Sequence, residues 1–172
     1  MDNTPFIIGM PIYPGANLLD ITGPYQVFAT PFWHASVKLV AASLAPVKMP
    51  ESVKLVPDVT FDDCPPLDML FVPGGPGQYD MMLDERYIGF LKRQGASAKY
   101  VGSDCVGALL LAAAGLLDGY KATTHWAALP CLQSFPQIEV VPMYPRCVMD
   151  RKGDNVRFTG GGVSSGIDAA FE

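Results

Sequence analysis

The segment around Cys105 constrains the fold of this chain more than any other. Ala98-Lys99-Tyr100-Val101-Gly102-Ser103 is an apolar run that ends in small residues, and Val106-Gly107-Ala108-Leu109-Leu110-Leu111-Ala112-Ala113-Ala114 is a strong helix former. A strand that turns sharply into a helix at one reactive side chain is the geometry of a nucleophile elbow. The backbone crosses itself closely at such a turn, so its flanks must be small. Ser103 and Gly107, two residues either side of Cys105, meet that requirement. The turn puts the sulfur at a helix N-terminus, where free N–H groups and the macrodipole favour thiolate. Cys105 is therefore expected to have a lowered pKa and to be the most oxidisable of the four cysteines. The other reading is a buried cysteine that fills core space.

The rest of the chain fits an α/β architecture. Phe6-Ile7-Ile8-Gly9-Met10 and Leu67-Asp68-Met69-Leu70-Phe71-Val72 are short apolar runs. Such runs suit strands buried on both faces of a parallel sheet. Helical patterns lie between them. Pro24-Tyr25-Gln26-Val27-Phe28-Ala29 follows Gly23, with Pro24 placed for a first turn. Glu85 to Ala98 puts Ile88, Phe90 and Leu91 on one side and Lys92, Arg93 and Gln94 on the other. The Cys105 helix is expected to run to about Leu117, with Gly119 as its stop. Val47 to Phe61 reads as a short hairpin or edge ribbon, and Gly166 to Glu172 as the opening of a helix. Strands alternating with helices imply a mostly parallel sheet with helices on both faces, and ligands beyond the carboxyl ends of its strands. Residues 1–172 are expected to form one domain, and a stop at the opening of a helix is consistent with a missing C-terminal helical tail.

Composition narrows the function. The chain is 49% hydrophobic and 17% charged, with a net charge of −5 and no basic cluster, which argues against disorder and against nucleic acid as a partner. No apolar run approaches the ~20 residues that cross a membrane. The start, Met1-Asp2-Asn3-Thr4-Pro5, lacks the basic stretch of a signal peptide. Cys64, Cys105, Cys131 and Cys147 are then expected to be reduced cytoplasmic thiols. His34 and His125 are far apart and no Cys-x-x-Cys occurs, so no metal site is expected.

Three further features can carry chemistry. Pro73-Gly74-Gly75-Pro76-Gly77 closes the second apolar run; Gly74 and Gly75 can bring backbone N–H groups close to an anion, or simply make a tight turn. Asp20 sits in Leu18-Leu19-Asp20-Ile21-Thr22-Gly23-Pro24. Buried there, it would keep its proton near neutrality and could donate it; exposed, it would be an ordinary helix cap. His125, in Ala122-Thr123-Thr124-His125-Trp126, is either a base for Cys105 or a structural histidine beside Trp126.

Taken together, these segments resemble the ThiJ/PfpI superfamily, and within it the isocyanide hydratases. The resembling pieces are Leu19-Asp20-Ile21-Thr22-Gly23-Pro24, Asp63-Cys64-Pro65-Pro66-Leu67-Asp68, Val72-Pro73-Gly74-Gly75, the Cys105 turn with Ala113-Ala114-Gly115-Leu116-Leu117, Ala122 to Trp126, and Thr159-Gly160-Gly161-Gly162 with Gly166-Ile167-Asp168. The resemblance implies a flavodoxin-like three-layer sandwich, usually a homodimer, in which Cys105 is the nucleophile and Asp20 its acid partner. Gly74, Gly75, Val106 and His125 would line the substrate or hold an oxyanion or water. It implies hydration of an isocyanide to an N-substituted formamide without cofactor. A ligand or redox sensor and glyoxalase-like chemistry on small aldehydes are the alternatives. Two positions depart from the hydratase pattern: Val106 stands where threonine is usual, and Asp104 where a small or apolar residue is usual.

Overall fold

The computed structural model describes residues 5–30 and 34–171. Met1 to Thr4, the start considered for an export signal, and Glu172 lie outside the described residues. In chain order the strands are β1 (Phe6–Pro11), β2 (Ala35–Ala41), β3 (Val47–Lys48), β4 (Lys54–Leu55), β5 (Val59–Thr60), β6 (Met69–Val72), β7 (Tyr100–Ser103), β8 (Lys121–Ala122), β9 (Glu139–Val140), β10 (Cys147–Lys152) and β11 (Asn155–Gly160). The helices are α1 (Leu18–Phe28), α2 (Gln78–Leu83), α3 (Glu85–Ser97), α4 (Gly107–Ala113), α5 (Leu129–Gln133) and α6 (Ser165–Ala169). Seven strands form the main sheet in the order β10-β11-β7-β6-β1-β2-β5, and only the β10–β11 pair is antiparallel.

The apolar runs took the central places, as burial on both faces demands. β1 lies between β2 and β6, with Ile8 beside Met69, and β6 lies between β1 and β7, with Met69 beside Tyr100. Ile8, Met10, Leu70, Phe71, Val72 and Val101 are all buried. α1 packs against α6, while α2, α3, α4 and α5 pack in series. These helical groups cover the flavodoxin-like sheet. The two-stranded ribbon expected over Val47 to Phe61 is the antiparallel β3–β4 hairpin, after which β5 joins the edge of the main sheet beside β2.

Three local expectations are corrected. α1 starts at Leu18, not at Pro24, so Pro24 is internal to the helix and cannot donate to the Asp20 carbonyl. The helix after Cys105 ends at Ala113 rather than near Leu117. Gly115 there has φ +71, and the Gly115 and Leu116 N–H groups donate to the Ala112 and Leu111 carbonyls, both at 2.9 Å. That is a Schellman stop, and the left-handed residue it needs is a glycine. On α3, Gln94 does not face water with its charged neighbours. It accepts from the Leu67 N–H and donates to the Pro65 carbonyl, fastening the lead-in to β6.

Candidate active site

Cys105 occupies the tight turn between β7 and α4, with φ +53, a left-handed conformation that costs a non-glycine residue on the order of 1–3 kcal/mol. The turn is held on all sides. The Asp104 N–H donates to the Val72 carbonyl at 3.2 Å, and the Gly107 N–H to the Asp104 carbonyl at 2.9 Å. The Cys105 carbonyl accepts from the Thr124 hydroxyl at 2.8 Å and from the His125 N–H at 3.4 Å. Gly107 must be small: a Cβ there would lie 3.0 Å from the Pro73 carbonyl carbon. Ser103 is fully buried at the end of β7.

Asp20 reaches the same place from α1. It is fully buried, and its carboxyl meets the Cys105 side chain at Gly74, where a Cβ would lie 2.8 Å from the Cys105 Cβ and 3.0 Å from Asp20 Oδ2. The Gly74 N–H donates to Asp20 Oδ2 at 3.0 Å and the Asn17 side-chain amide donates to Oδ1 at 2.9 Å. The Asn17 N–H in turn donates to the Gly74 carbonyl at 2.8 Å, which locks the start of α1 to the loop after β6. Tyr13 adds a further brace. Its buried hydroxyl donates to the Pro73 carbonyl at 3.0 Å, the other end of the peptide whose N–H holds Asp20.

Asp104 is a second fully buried carboxyl beside the cysteine. Its Oδ1 accepts from the Gly162 N–H and the Ser165 hydroxyl, both at 2.9 Å. The backbone N–H groups of Cys105 and Gly166 also face it, although Oδ2 lacks a hydrogen bond of good geometry. Gly162 lies directly against the cysteine: a Cβ on it would sit 2.7 Å from the Cys105 Cβ and 2.9 Å from Sγ.

The electrostatics reverse the expected lowering of the cysteine pKa. Burial pushes the Cys105 thiol up to about 12; the Asp20 and Asp104 carboxyls add to the rise, and the Val106 N–H facing the sulfur opposes it only in part. A short helix with one N–H on the sulfur does not outweigh desolvation and two nearby acids. Burial also raises Asp20, to about 8, with the Asp104 charge adding to the rise and the Gly74 N–H opposing it. Asp104 is raised as well, chiefly by burial, against hydrogen bonds from Ser165 and Gly162. Near neutrality the pair is therefore a thiol and a carboxylic acid, which can pass a proton between them.

The other expected site residues fall in different places. The Gly74 N–H is committed to Asp20, so it holds the acid rather than an oxyanion. Gly75, with φ +135, packs so closely on Gly15, Ala16 and Asn17 that no side chain fits there. Val106 is the first residue of the turn into α4 and brings its N–H to the sulfur. Among the described residues, no hydrogen bond joins the His125 side chain to Cys105. The His125 Nδ1 accepts from the Ala127 N–H at 3.4 Å, capping a turn of 3-10 helix over Trp126–Ala128, and its ring lies tilted beside Trp126. Asn17 and Tyr13 were not singled out from sequence, and Thr124 and Gly162 only as members of the resembling segments Ala122 to Trp126 and Thr159 to Gly162. Asn17 did leave a local signal, three residues before Asp20. A cavity of about 200 Å³ borders Gly162 and is walled by Thr124, Trp126, Tyr144 and Arg146. A larger one, of about 500 Å³, lies beyond Tyr13 between the ends of β1 and β2 and the α2–α3 junction.

Comparison with known proteins places the chain in a family. The DJ-1/PfpI family pattern matches residues 8–153. The chain is 44% identical over 164 residues to an isonitrile hydratase of Pseudomonas putida, covering 95% of this chain and 68% of that protein. It superposes on the crystal structure of a ThiJ/PfpI family protein from Pseudomonas syringae with a TM-score of 0.87 and 40% identity, covering 97% of this chain and 66% of that one. It is also 31% identical over 121 residues to the HTH-type transcriptional regulator GbdR of Pseudomonas aeruginosa, covering 69% of this chain but 30% of the regulator.

Proposed function

This chain belongs to the DJ-1/PfpI family, and we propose that it hydrates isocyanides to N-substituted formamides, with Cys105 as nucleophile and Asp20 as its proton partner. The observation that carries this reading is the meeting of Asp20 and Cys105, both buried, at a strained turn beside Gly74. The 44% identity to an isonitrile hydratase supports the substrate class.

The terminal carbon of an isocyanide accepts both an electron pair and a proton, so a thiol can add across it. The S–H bond breaks, an S–C bond forms, and the carbon gains a hydrogen, leaving a thioimidate on Cys105. Asp20 suits the transfer, because one carboxyl oxygen can take the thiol proton while the acid delivers its own to carbon. A high thiol pKa does not oppose this step, since the proton is consumed rather than released to solvent. Water then adds across the C=N bond, its oxygen to carbon and one of its protons to nitrogen. The C–S bond breaks as the new hydroxyl gives its proton to Asp20, whose carboxyl passes its own to the departing sulfur, so that the formamide is released and both thiol and acid are restored. Proton transfer by a positioned group of this kind contributes roughly 10²–10⁴-fold in rate. Trp126 and Tyr144 border the cavity next to Gly162 and suit an apolar substituent on the isocyanide. Neither step calls for a metal or an organic cofactor.

The test is formamide formation from a simple alkyl isocyanide, compared with Cys105→Ala and with methylglyoxal as the competing substrate. Turnover of the isocyanide that vanishes in the alanine variant supports the hydratase. Turnover of methylglyoxal alone moves the reading to glyoxalase-like chemistry. The match to GbdR favours a second reading, a ligand-sensing domain. Tight small-molecule binding at Cys105 with no turnover would select it.

A further inference from the structure

We propose that Asp104 is a positioning residue of this site: its buried carboxylate clasps the 160–166 segment against Cys105 and, as the ionised member of a pair of buried acids, keeps the exchangeable proton on Asp20. The inference builds on the proposed pairing of Cys105 with Asp20.

The clasp is geometric. Asp104 immediately precedes Cys105, so whatever it binds is brought to the nucleophile. It binds the Gly162 N–H and the Ser165 hydroxyl, both through Oδ1. The segment is shaped to receive it. A Cβ on Gly166 would lie 2.6 Å from Asp104 Oδ2, and one on Gly160 would collide with Oδ1. Two glycines thus leave room for one carboxyl, and the third, Gly162, closes on the cysteine it is held against.

The division of charge follows from the partners. Asp20 and Asp104 are both fully buried near one sulfur, and neither takes part in an ion pair among the described residues. Two such carboxyls do not ionise together at neutral pH without a cation. Asp104 accepts from a hydroxyl and a backbone N–H on Oδ1 and has the Cys105 and Gly166 N–H groups turned toward it, although its Oδ2 makes no hydrogen bond; no thiol shares its carboxyl, so it holds the charge better. Asp20 receives one backbone N–H and one amide, and shares the thiol. The other titratable groups facing Asp20 are Tyr13, Cys105 and the more distant Glu51, none of them a cation. On α6, Asp168 is paired at the surface with Arg146, whose guanidinium also donates to the Ser164 hydroxyl at 3.4 Å.

Infrared titration tests the charge division without any assay of turnover. Exposed carboxylates are ionised at neutral pH, so a protonated-carboxyl band there reports buried acids. The expected band is present in the unmutated protein, lost in Asp20→Asn, and in Asp104→Asn titrates about one pH unit lower, because a neighbouring negative charge is gone. Asparagine keeps the acceptor for Gly162 and Ser165, so the clasp survives. In the same variant the alkaline limb of isocyanide hydration moves down by the same amount while KM changes less than about twofold. A band that persists in Asp20→Asn overturns the proposal and needs no Asp104 variant to fold. A titration unchanged in Asp104→Asn also overturns it. If the infrared shifts appear and no isocyanide is turned over, the hydratase reading fails and the assignment of charge stands.

Discussion

Asp20 and Asp104 carry the same side chain and the same burial, and their partners alone separate them. Asp20 meets a thiol and can move a proton to and from it; Asp104 meets a hydroxyl and backbone N–H groups and holds a segment. Asp20→Asn is expected to lower isocyanide hydration by about 10²–10⁴-fold with an unchanged circular dichroism spectrum. A loss below about threefold would leave Asp20 no part in proton transfer. The cysteines invert the order read from the sequence. Cys105 is buried with its pKa pushed up to about 12, and Cys64 is raised by burial to about 11, whereas Cys131 is exposed. Iodoacetamide at neutral pH should therefore label Cys131 before Cys105, read by peptide mapping, because thiolate fraction and access set the rate. Preferential labelling of Cys105 would show that the helix N-terminus outweighs the two acids after all.

The elements around the site act through their ends. Val106 precedes α4 as its N-cap, supplies no side-chain cap, and turns its N–H toward the sulfur. Val106→Thr adds a hydroxyl at that point. If it orients substrate or water, hydration should rise by about one to two powers of ten, the rate equivalent of a charge-assisted hydrogen bond of roughly 1.5–3 kcal/mol. Equal rates in both proteins would make the valine an adaptation to a more apolar substituent. At the other end of α4, Gly115→Ala places a Cβ on a left-handed residue that has room around it, the nearest atom being Asp118 Oδ2 at 3.5 Å. The cost is then conformational, roughly 1–2 kcal/mol of stability in a denaturant titration, with hydration unaffected. A larger loss, or a change in rate, would mean that this stop also sets the placement of Cys105.

At the scale of the molecule the two buried acids couple folding to pH. Asp20 titrates near 3.8 when unfolded and at about 8 when folded, and burial moves Asp104 in the same direction. Over that window the native state binds more protons than the unfolded chain, so stability is full below about pH 4 and falls as pH rises toward 8. This is opposite in sign to the usual ion-paired carboxylate. Urea midpoints measured from pH 5 to 9 should fall steadily, and Asp20→Asn should flatten the slope. A slope that rises with pH would show that the folded protein holds both carboxyls ionised.

Local chemistry was enough for the frame. Continuous apolar runs over Phe6 to Met10 and Leu67 to Val72 belong inside a parallel sheet, and small residues flanking Cys105 belong to a tight strand–helix turn. Each depends only on side chains a few positions apart. Weaker patterns carry less: β2 buries only its last two residues, and β10 is an edge strand that ends in three consecutive charged residues, Asp150, Arg151 and Lys152, so neither carries a strong apolar period. The start of α1 was misplaced because Pro24 and Gly23 signal a boundary locally, whereas Asp20 and Ile21 are held in the helix by burial against distant elements. The sequence marked Cys105 and Asp20 as candidates, but it did not determine their ionisation. That depends on burial and on hydrogen-bond partners that arrive from far along the chain, Gly74 from 54 residues away onto Asp20 and Gly162 from 58 residues away onto the neighbouring Asp104. A helix N-terminus is written in the chain; the low-dielectric pocket and the second carboxyl that overrule it exist only once the sheet has brought the loops together.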